Sequence, residues 1–292
     1  MVVQRKLPPW LKVKAPGGAN YIELRGLVRK AGLHTVCEEA HCPNIGTCWD
    51  RRTATFMVLG DICTRACAYC AVKSGKPKPP DLQEPARLAE TVERMGLNYA
   101  VITSVDRDDL PDAGAFIFAQ CIRQIRRKVP LCKVEVLIPD FYGDRQALVK
   151  VLDAAPDTLN HNIETVRRIF RRVRPKGDYD RSLELLYRAK AIAPGAVTKS
   201  GMMVGLGETW DEIIETMRDL RTVNCDLLTI GQYIRPSDKH IALSQWYSPQ
   251  EFTELSCEGK RMGFRHVASG PLVRSSYHAD DQHAAATNAA AV

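Results

Sequence analysis

The spacing Cys63-x3-Cys67-x2-Cys70 puts three thiols within eight residues, directly after the apolar run Thr53-Ala-Thr-Phe-Met-Val-Leu-Gly60. Thiolates so close together suit a soft metal centre, because one loop can wrap its ligands around it. Zinc also takes Cys-x2-Cys pairs, but a closed zinc site needs four ligands and no fourth Cys or His follows nearby. On a cubane iron–sulfur cluster, three Cys leave one iron open for a small molecule. The spacing favours iron–sulfur and leaves zinc as the alternative. A second triplet, Cys37-x4-Cys42-x5-Cys48, lies just upstream, with Pro43 and Gly46 supplying sharp turns. One six-Cys zinc module would account for all six thiols. Two triplets that each lack a fourth ligand fit two iron–sulfur clusters better.

The elements that must carry these residues alternate. Tyr21 to Ala31 reads as a helix ended by Gly32. Thr55–Leu59 is a strand. Pro85–Met95, closed by Gly96, is a helix with Leu88, Val92 and Met95 on one face. Strands follow at 98–103, 133–138, 158–162, 197–204 and 226–230, separated by helices at 113–128, 144–154, 164–172, 180–192 and 208–222. A last helix covers Pro249 to Gly263. Repeated βα units at this spacing mean parallel strands, six by count: a partial (βα)6 barrel, with a doubly wound sheet as the alternative. In either case ligands bind beyond the carboxyl ends of the strands, where Asp106, Asn160, Asn162, Glu164, Lys199 and Gln232 stand near the thiols. Gly205-Leu-Gly207 could mimic a phosphate loop but lacks the rest of one. Beyond Asp281 the Ala-rich tail has no face to bury and reads as frayed.

With 292 residues, 45 % hydrophobic and 26 % charged, the chain has the composition of a soluble globular protein. It contains no run of about 18 apolar residues, so no membrane span is expected. Ten Cys without a signal-peptide pattern argue for metal ligation in a reducing, cytoplasmic setting. The net charge of +7 admits nucleic acid or an acidic partner. The basic runs lack interleaved aromatics and any nucleic-acid-binding motif, so no nucleic acid is expected. Cys121, Cys132, Cys225 and Cys257 read as buried or inert thiols, and His41 and His161 as structural hydrogen-bonding groups.

The first triplet, with Tyr69 just before its last Cys, resembles the cluster loop of radical S-adenosylmethionine (SAM) enzymes. The two spacings together resemble the lipoyl synthase family, as do Ala54-Thr-Phe-Met-Val-Leu-Gly-Asp61, Asn160-His-Asn-Ile-Glu-Thr165, Lys199-Ser-Gly-Met-Met-Val-Gly-Leu-Gly-Glu208, Gly231-Gln-Tyr233 and Arg274-Ser-Ser-Tyr277. The match spans Gly32 to Ala279. Arg235 and Met202 depart from the residues common there, away from any ligand.

The resemblance implies a partial TIM-type α/β barrel at 53–235. It implies an N-terminal extension (1–52) and a C-terminal one (236–292) that carry an auxiliary cluster. Cys63, Cys67 and Cys70 would hold a 4Fe-4S cluster whose open iron binds SAM, with Tyr69 near the adenine. Cys37, Cys42, Cys48 and Ser276 (Ser275 as alternative) would hold an auxiliary 4Fe-4S cluster. Asp106, Asn160, Glu164, Lys199 and Gly207 are candidates for SAM or substrate contacts. The implied enzyme is a sulfurtransferase. It uses two radicals from two SAM molecules to take hydrogen from C6 and C8 of an octanoyl chain amide-linked to a carrier-protein Lys. Sulfide from the sacrificed auxiliary cluster fills both positions. Implied partners are an octanoylated lipoyl carrier (an E2-subunit lipoyl domain or the glycine cleavage H protein), a flavodoxin or ferredoxin electron donor, and a cluster-repair protein. The protein itself would be a monomer. Arg171 and Arg172, in a basic run after the 158–162 strand, are expected to dock the acidic carrier. A biotin synthase-like enzyme and a zinc-stabilised RNA-binding module are the rival readings.

Overall fold

The computed structural model describes residues 7–13, 16–40, 42–51 and 53–288. His41 lies outside the described residues. Strand boundaries follow from the β-branched and aromatic runs. They give β1 (His34–Thr35), β2 (Thr55–Val58), β3 (Ile62–Cys63), β4 (Lys73–Ser74), β5 (Tyr99–Ser104), β6 (Lys133–Leu137), β7 (Thr158–Asn160), β8 (Val197–Val204), β9 (Leu227–Gln232) and β10 (His266–Gly270). The main sheet runs β1-β2-β5-β6-β7-β8-β9-β10, and β3 and β4 form a small ladder of their own. From β2 to β10 every neighbour is parallel; β1 adds antiparallel to β2. The strands advance in one direction without the reversal that defines a doubly wound sheet, which leaves the barrel reading.

Helix ends are set by local chemistry. Pro85 sits in the first turn of Glu84–Met95, and Gly96 closes it at φ 61°, where a Cβ would be strained. Capping boxes start two more: Thr209 with Glu212 ahead of Trp210–Thr222, and Ser248 with Glu251 ahead of Pro249–Arg261.

Alternation along the strands separates two environments. Phe56, Ile102, Val134, Val136, Leu159, Leu228 and Ile230 are buried against the helix layer, with Leu88, Phe118, Leu148, Leu186 and Met217 in the same core. The opposite face holds Glu135, Asn160 and Lys199, all essentially unexposed. Lys199 Nζ reaches across from β8 to Glu135 on β6 at 2.9 Å, and Tyr99 donates to the same carboxylate at 2.9 Å. The barrel interior is therefore polar, where a filled TIM barrel would hold branched apolar side chains.

Three expectations need correction. The region 164–172 is not one helix: Glu164 has φ 68°, and the helical turns are Arg167–Ile169 and Phe170–Val173. The segment 265–274 contains β10, a seventh parallel strand, so the sheet continues past 235. Residues 289–292 lie outside the described residues; as far as Asn288 the tail beyond Asp281 is not frayed, since Ala279–Asn288 is a helix. Its Gln282 and Ala286 are buried four residues apart, and Ala286 packs on Val197 and Leu227 at the strand starts. Alanine favours helix strongly yet adds little hydropathy contrast, so the docked face was invisible to periodicity.

Candidate active site

The barrel mouth is built by the loop after β2. Leu59 at φ 70° and Gly60 at φ 88° turn the chain out of the strand. The Leu59 amide donates to buried Glu84 at 2.8 Å, and the Leu59 carbonyl accepts from Arg107 at 3.3 Å. The Cys63 sulfur then accepts the backbone N–H of Arg65 at 3.4 Å and of Asp106 at 3.3 Å. Amides aimed at a sulfur favour its negative form, so the donor set suits a thiolate-held cluster. Burial pushes the unliganded thiols up, Cys70 to about 11 and Cys67 to about 12, so loading metal there must displace protons.

The loop is fastened along its length. Thr64 N–H and Oγ1 donate to the Asp106 carbonyl, Ala68 N–H to Val173, and Ile241 N–H to Ala68. His240 Nε2 meets the Cys70 carbonyl at 3.0 Å, and Lys176 donates to the Thr64 carbonyl at 2.9 Å. Beneath lies Arg65, 1 % exposed, between three carboxylates: Asp106 at 3.4 Å, Asp108 at 2.9 Å and Asp140 at 2.7 Å. Its guanidinium also stacks 4.7 Å from the Tyr142 ring. Arg65 holds the Asp140 carboxyl well below the usual range, overcoming the opposing effect of burial. Burial pushes Asp106 and Glu164 up, although Arg65 and Arg174 oppose it at Asp106 and Arg174 at Glu164. Tyr69 and Asn162 hydrogen-bond Glu164, whose left-handed backbone marks it as held in place by its surroundings. Arg174 faces Tyr69, Asp106 and Glu164.

The structure thus gathers Cys63, Cys67, Cys70, Tyr69, Asp106 and Glu164 at the mouth. Gly207 lies on a loop whose carbonyls at 206 and 207 bind Arg172 at 3.1 Å and Arg168 at 2.8 Å. Asn160 and Lys199 do not join the thiols; both are held by Glu135 lower in the barrel. Arg65, Asp108, Asp140 and Tyr142 escaped sequence reasoning, because nothing local in Arg65 announces three partners up to 75 positions away.

Of the second triplet, Cys37 and Cys48 lie on two short helices, Val36–Glu39 and Ile45–Asp50, and Cys42 lies between them. Cys37, Cys42 and Cys48 influence one another's ionisation, as Cys63, Cys67 and Cys70 do among themselves at the mouth. Burial pushes Cys37 up to about 11 and Cys48 to about 12. Trp49 Nε1, buried beside them, is directed at the Cys37 sulfur, and Arg274 faces Cys42 with no carboxylate partner among the described ion pairs. A buried N–H donor aimed at a sulfur and a cation with no carboxylate partner, beside three thiols, fit an anionic, sulfur-rich group. Thr55 connects this triplet to the C-terminus: its N–H meets the Cys37 sulfur, and its Oγ1 donates to Ser276 Oγ at 2.7 Å. Ser275 points elsewhere, donating to Asn162 Oδ1 at 3.0 Å.

The remaining thiols bear no partner groups of this kind: Cys121, Cys132 and Cys225 are buried, and Cys257 is exposed on a helix. His161 is structural as expected, with Nδ1 at 2.8 Å from the Ile138 carbonyl and Nε2 at 3.1 Å from Ser182 Oγ. Among the described residues no helix is long and apolar enough to cross a membrane.

Against known proteins, residues 57–220 match the model of the Radical SAM superfamily, and residues 2–42 match the N-terminal domain of lipoyl synthase of that family. The chain is 59 % identical to the lipoyl synthase of Rubrobacter xylanophilus over 94 % of its own length and 86 % of that protein. It is 59 % identical to that of Symbiobacterium thermophilum over 97 % and 88 %. Among solved structures, methylornithine synthase aligns with TM-score 0.56 at 14 % identity, covering 94 % of this chain and 81 % of the other. A maturase of the FeFe-hydrogenase aligns with TM-score 0.57 at 18 % identity, covering 71 % and 49 %. At these identities the two structures share the fold alone.

Proposed function

The chain belongs to the lipoyl synthase family of radical SAM enzymes, and from that premise we propose how its two thiol triplets divide the reaction. Cys63, Cys67 and Cys70 hold the 4Fe-4S cluster that receives SAM. Cys37, Cys42, Cys48 and Ser276 hold an auxiliary 4Fe-4S cluster. When bound, these groups would supply two 5′-deoxyadenosyl radicals, one for the C–H bond at C6 and one for that at C8 of a protein-bound octanoyl chain, and two sulfides to fill those positions. The observation that carries the division is Thr55, which touches both Cys37 and Ser276 and so unites the two chain ends at one place.

The chain's own residues bind, orient and shield. Arg174 is the cation available for the SAM carboxylate, and Asp106 and Glu164 are acceptors for its ammonium and ribose hydroxyls. Tyr69, hydrogen-bonded to Glu164, offers its ring to the adenine. Gly207 belongs to the rim of the mouth, where a bulkier residue would meet Ser244 and Arg172. Asn160 and Lys199 serve as a rigid polar floor with Glu135. An alkoxide from Ser276 is a harder ligand than thiolate and a poorer match for iron, which suits a cluster that must open.

The substrate's acidic carrier, a lipoyl domain or the glycine cleavage H protein, docks at the mouth through Arg171, whose side chain is 74 % exposed. Arg172 is tied to the Leu206 carbonyl and contributes less. A flavodoxin- or ferredoxin-type reductant and a cluster-repair protein complete the cycle in the cytoplasm, with the enzyme a monomer. The test is anaerobic reconstitution followed by metal and sulfide analysis and a single-turnover assay. About eight irons per chain and sulfur insertion on an octanoylated domain are expected. Zinc in either site, or insertion only into free octanoate, would overturn the assignment.

A further inference from the structure

The C-terminal segment from Val273 to Ser276 lies against the inner wall of the barrel, and two glycines make that possible. Gly201 on β8 stands in register with Thr229 on β9, and Gly231 lies two residues further up β9. A Cβ at Gly231 would stand 2.1 Å from the Val273 carbonyl oxygen. A Cβ at Gly201 would stand 2.6 Å from Thr229 Oγ1, 2.7 Å from Asn162 Oδ1 and 3.0 Å from Ser275 Oγ. Neither glycine has the positive φ that calls for the residue on backbone grounds, unlike Gly205 and Gly207. Their reason is space.

The segment is then held from several sides. Asn44 Nδ2 donates to the Leu272 carbonyl at 2.6 Å, Ser275 to Asn162, and Thr55 to Ser276. These contacts bridge sequence separations of 228, 113 and 221 residues. A lone hydroxyl brought from so far along the chain competes poorly with water unless its backbone is fixed beforehand.

We propose that Gly231, Gly201 and Asn162 are positioning residues: they form a notch in the barrel wall that seats residues 273–276 and delivers Ser276 to the Cys37–Cys42–Cys48 side. This rests on the assignment of Ser276 as a ligand of the auxiliary cluster. It assigns the glycines of two motifs to that cluster's assembly and not to SAM.

The experiment has two readouts on the full chain. The first is amide hydrogen exchange of the metal-free protein. In Gly231→Ala and Gly201→Ala, amides 273–277 should exchange at least about tenfold faster while β8 and β9 keep their protection. Asn162→Ala adds no atoms and decides the matter if a glycine variant unfolds; there the segment should exchange about fivefold faster, the loss of one hydrogen bond. The second readout is the Mössbauer spectrum of the remaining cluster in a Cys63→Ala, Cys67→Ala, Cys70→Ala background. Each notch variant should change one iron site as Ser276→Ala does. Unchanged exchange in all three variants would overturn the notch. Faster exchange with an unaltered spectrum would keep the notch and overturn its service to Ser276. If Ser276→Ala itself leaves the spectrum unaltered, the ligand assignment fails separately, and the delivery role with it.

Discussion

Cys63, Cys67 and Cys70 ride on one loop whose backbone is bonded to Asp106 beyond β5, to Val173 and to Ile241, whereas Cys37 and Cys48 ride on two short helices with Cys42 between them. The mouth site is made locally, and its three thiols need only eight residues of chain. The other site is composite. It depends on Thr55 at the start of β2, on Asn44, and on a segment more than 200 residues away. The difference teaches that a site to be kept intact can be written into one braced loop. A site to be opened and rebuilt can be assembled from pieces, one of them a replaceable hydroxyl.

The strongest way to break this comparison is to remove each triplet. Replacing Cys63, Cys67 and Cys70 by Ala should abolish formation of 5′-deoxyadenosine while leaving iron on the second triplet. Replacing Cys37, Cys42 and Cys48 should leave SAM cleavage and abolish sulfur insertion. Deoxyadenosine from the first variant would refute the division.

The brace beneath the mouth comes next. Arg65→Met leaves the carboxylates of Asp106, Asp108 and Asp140 without their shared buried cation, and should cost about 3–5 kcal/mol of stability. Denaturant unfolding of the metal-free chain reads this directly; a loss under about 1 kcal/mol would mean that the triangle is not a brace.

Much of this was legible in the sequence. Thiol spacing is local, and so are the strand runs and helix stops, which is why both triplets and six parallel strands could be read directly. What depends on distant partners could not. Arg65 looks like any loop arginine until Asp140 closes on it. His266-Val-Ala-Ser-Gly270 lacks the apolar run of a strand and becomes β10 only by pairing with β9. Gly201 and Gly231 read as motif glycines, and the segment that fills their space is visible only in three dimensions. Lys199 is only the third residue of β8, well before its carboxyl end, and Asn160, although it ends the short β7, stands in register with Lys199 below the mouth.

Ser276 sharpens the comparison further. Ser276→Ala should slow product formation on the order of 100-fold with deoxyadenosine production retained, and Ser276→Cys should hold the cluster but release sulfide poorly. Near-normal turnover in both would remove Ser276 from the site.

His161 reports on the barrel frame alone. Burial lowers it to about 4, against about 6.5 in the unfolded chain. Its contribution is therefore complete above about pH 6.5 and is lost as pH falls towards 4, by at most about 3 kcal/mol. In His161→Asn the metal-free protein should unfold with a flatter acid limb; an unchanged limb would place the acid sensitivity elsewhere.

The smallest effect is expected at the rim. Arg171→Glu should raise the apparent KM for an octanoylated domain about three- to tenfold and weaken its salt dependence, since exposed charges mainly steer encounter. Turnover of an octanoyl-lysine peptide should hardly change. Equal losses on both substrates would put Arg171 in the active site or the fold.

The central claim, that the two triplets have different fates, is tested most directly by Mössbauer spectroscopy before and after one turnover on an octanoylated lipoyl domain. The account predicts that the signal assigned to the Cys37–Cys42–Cys48 site disappears in proportion to product, while that of the Cys63–Cys67–Cys70 site persists. Loss of the mouth signal instead, or product formed with both signals intact, would contradict it.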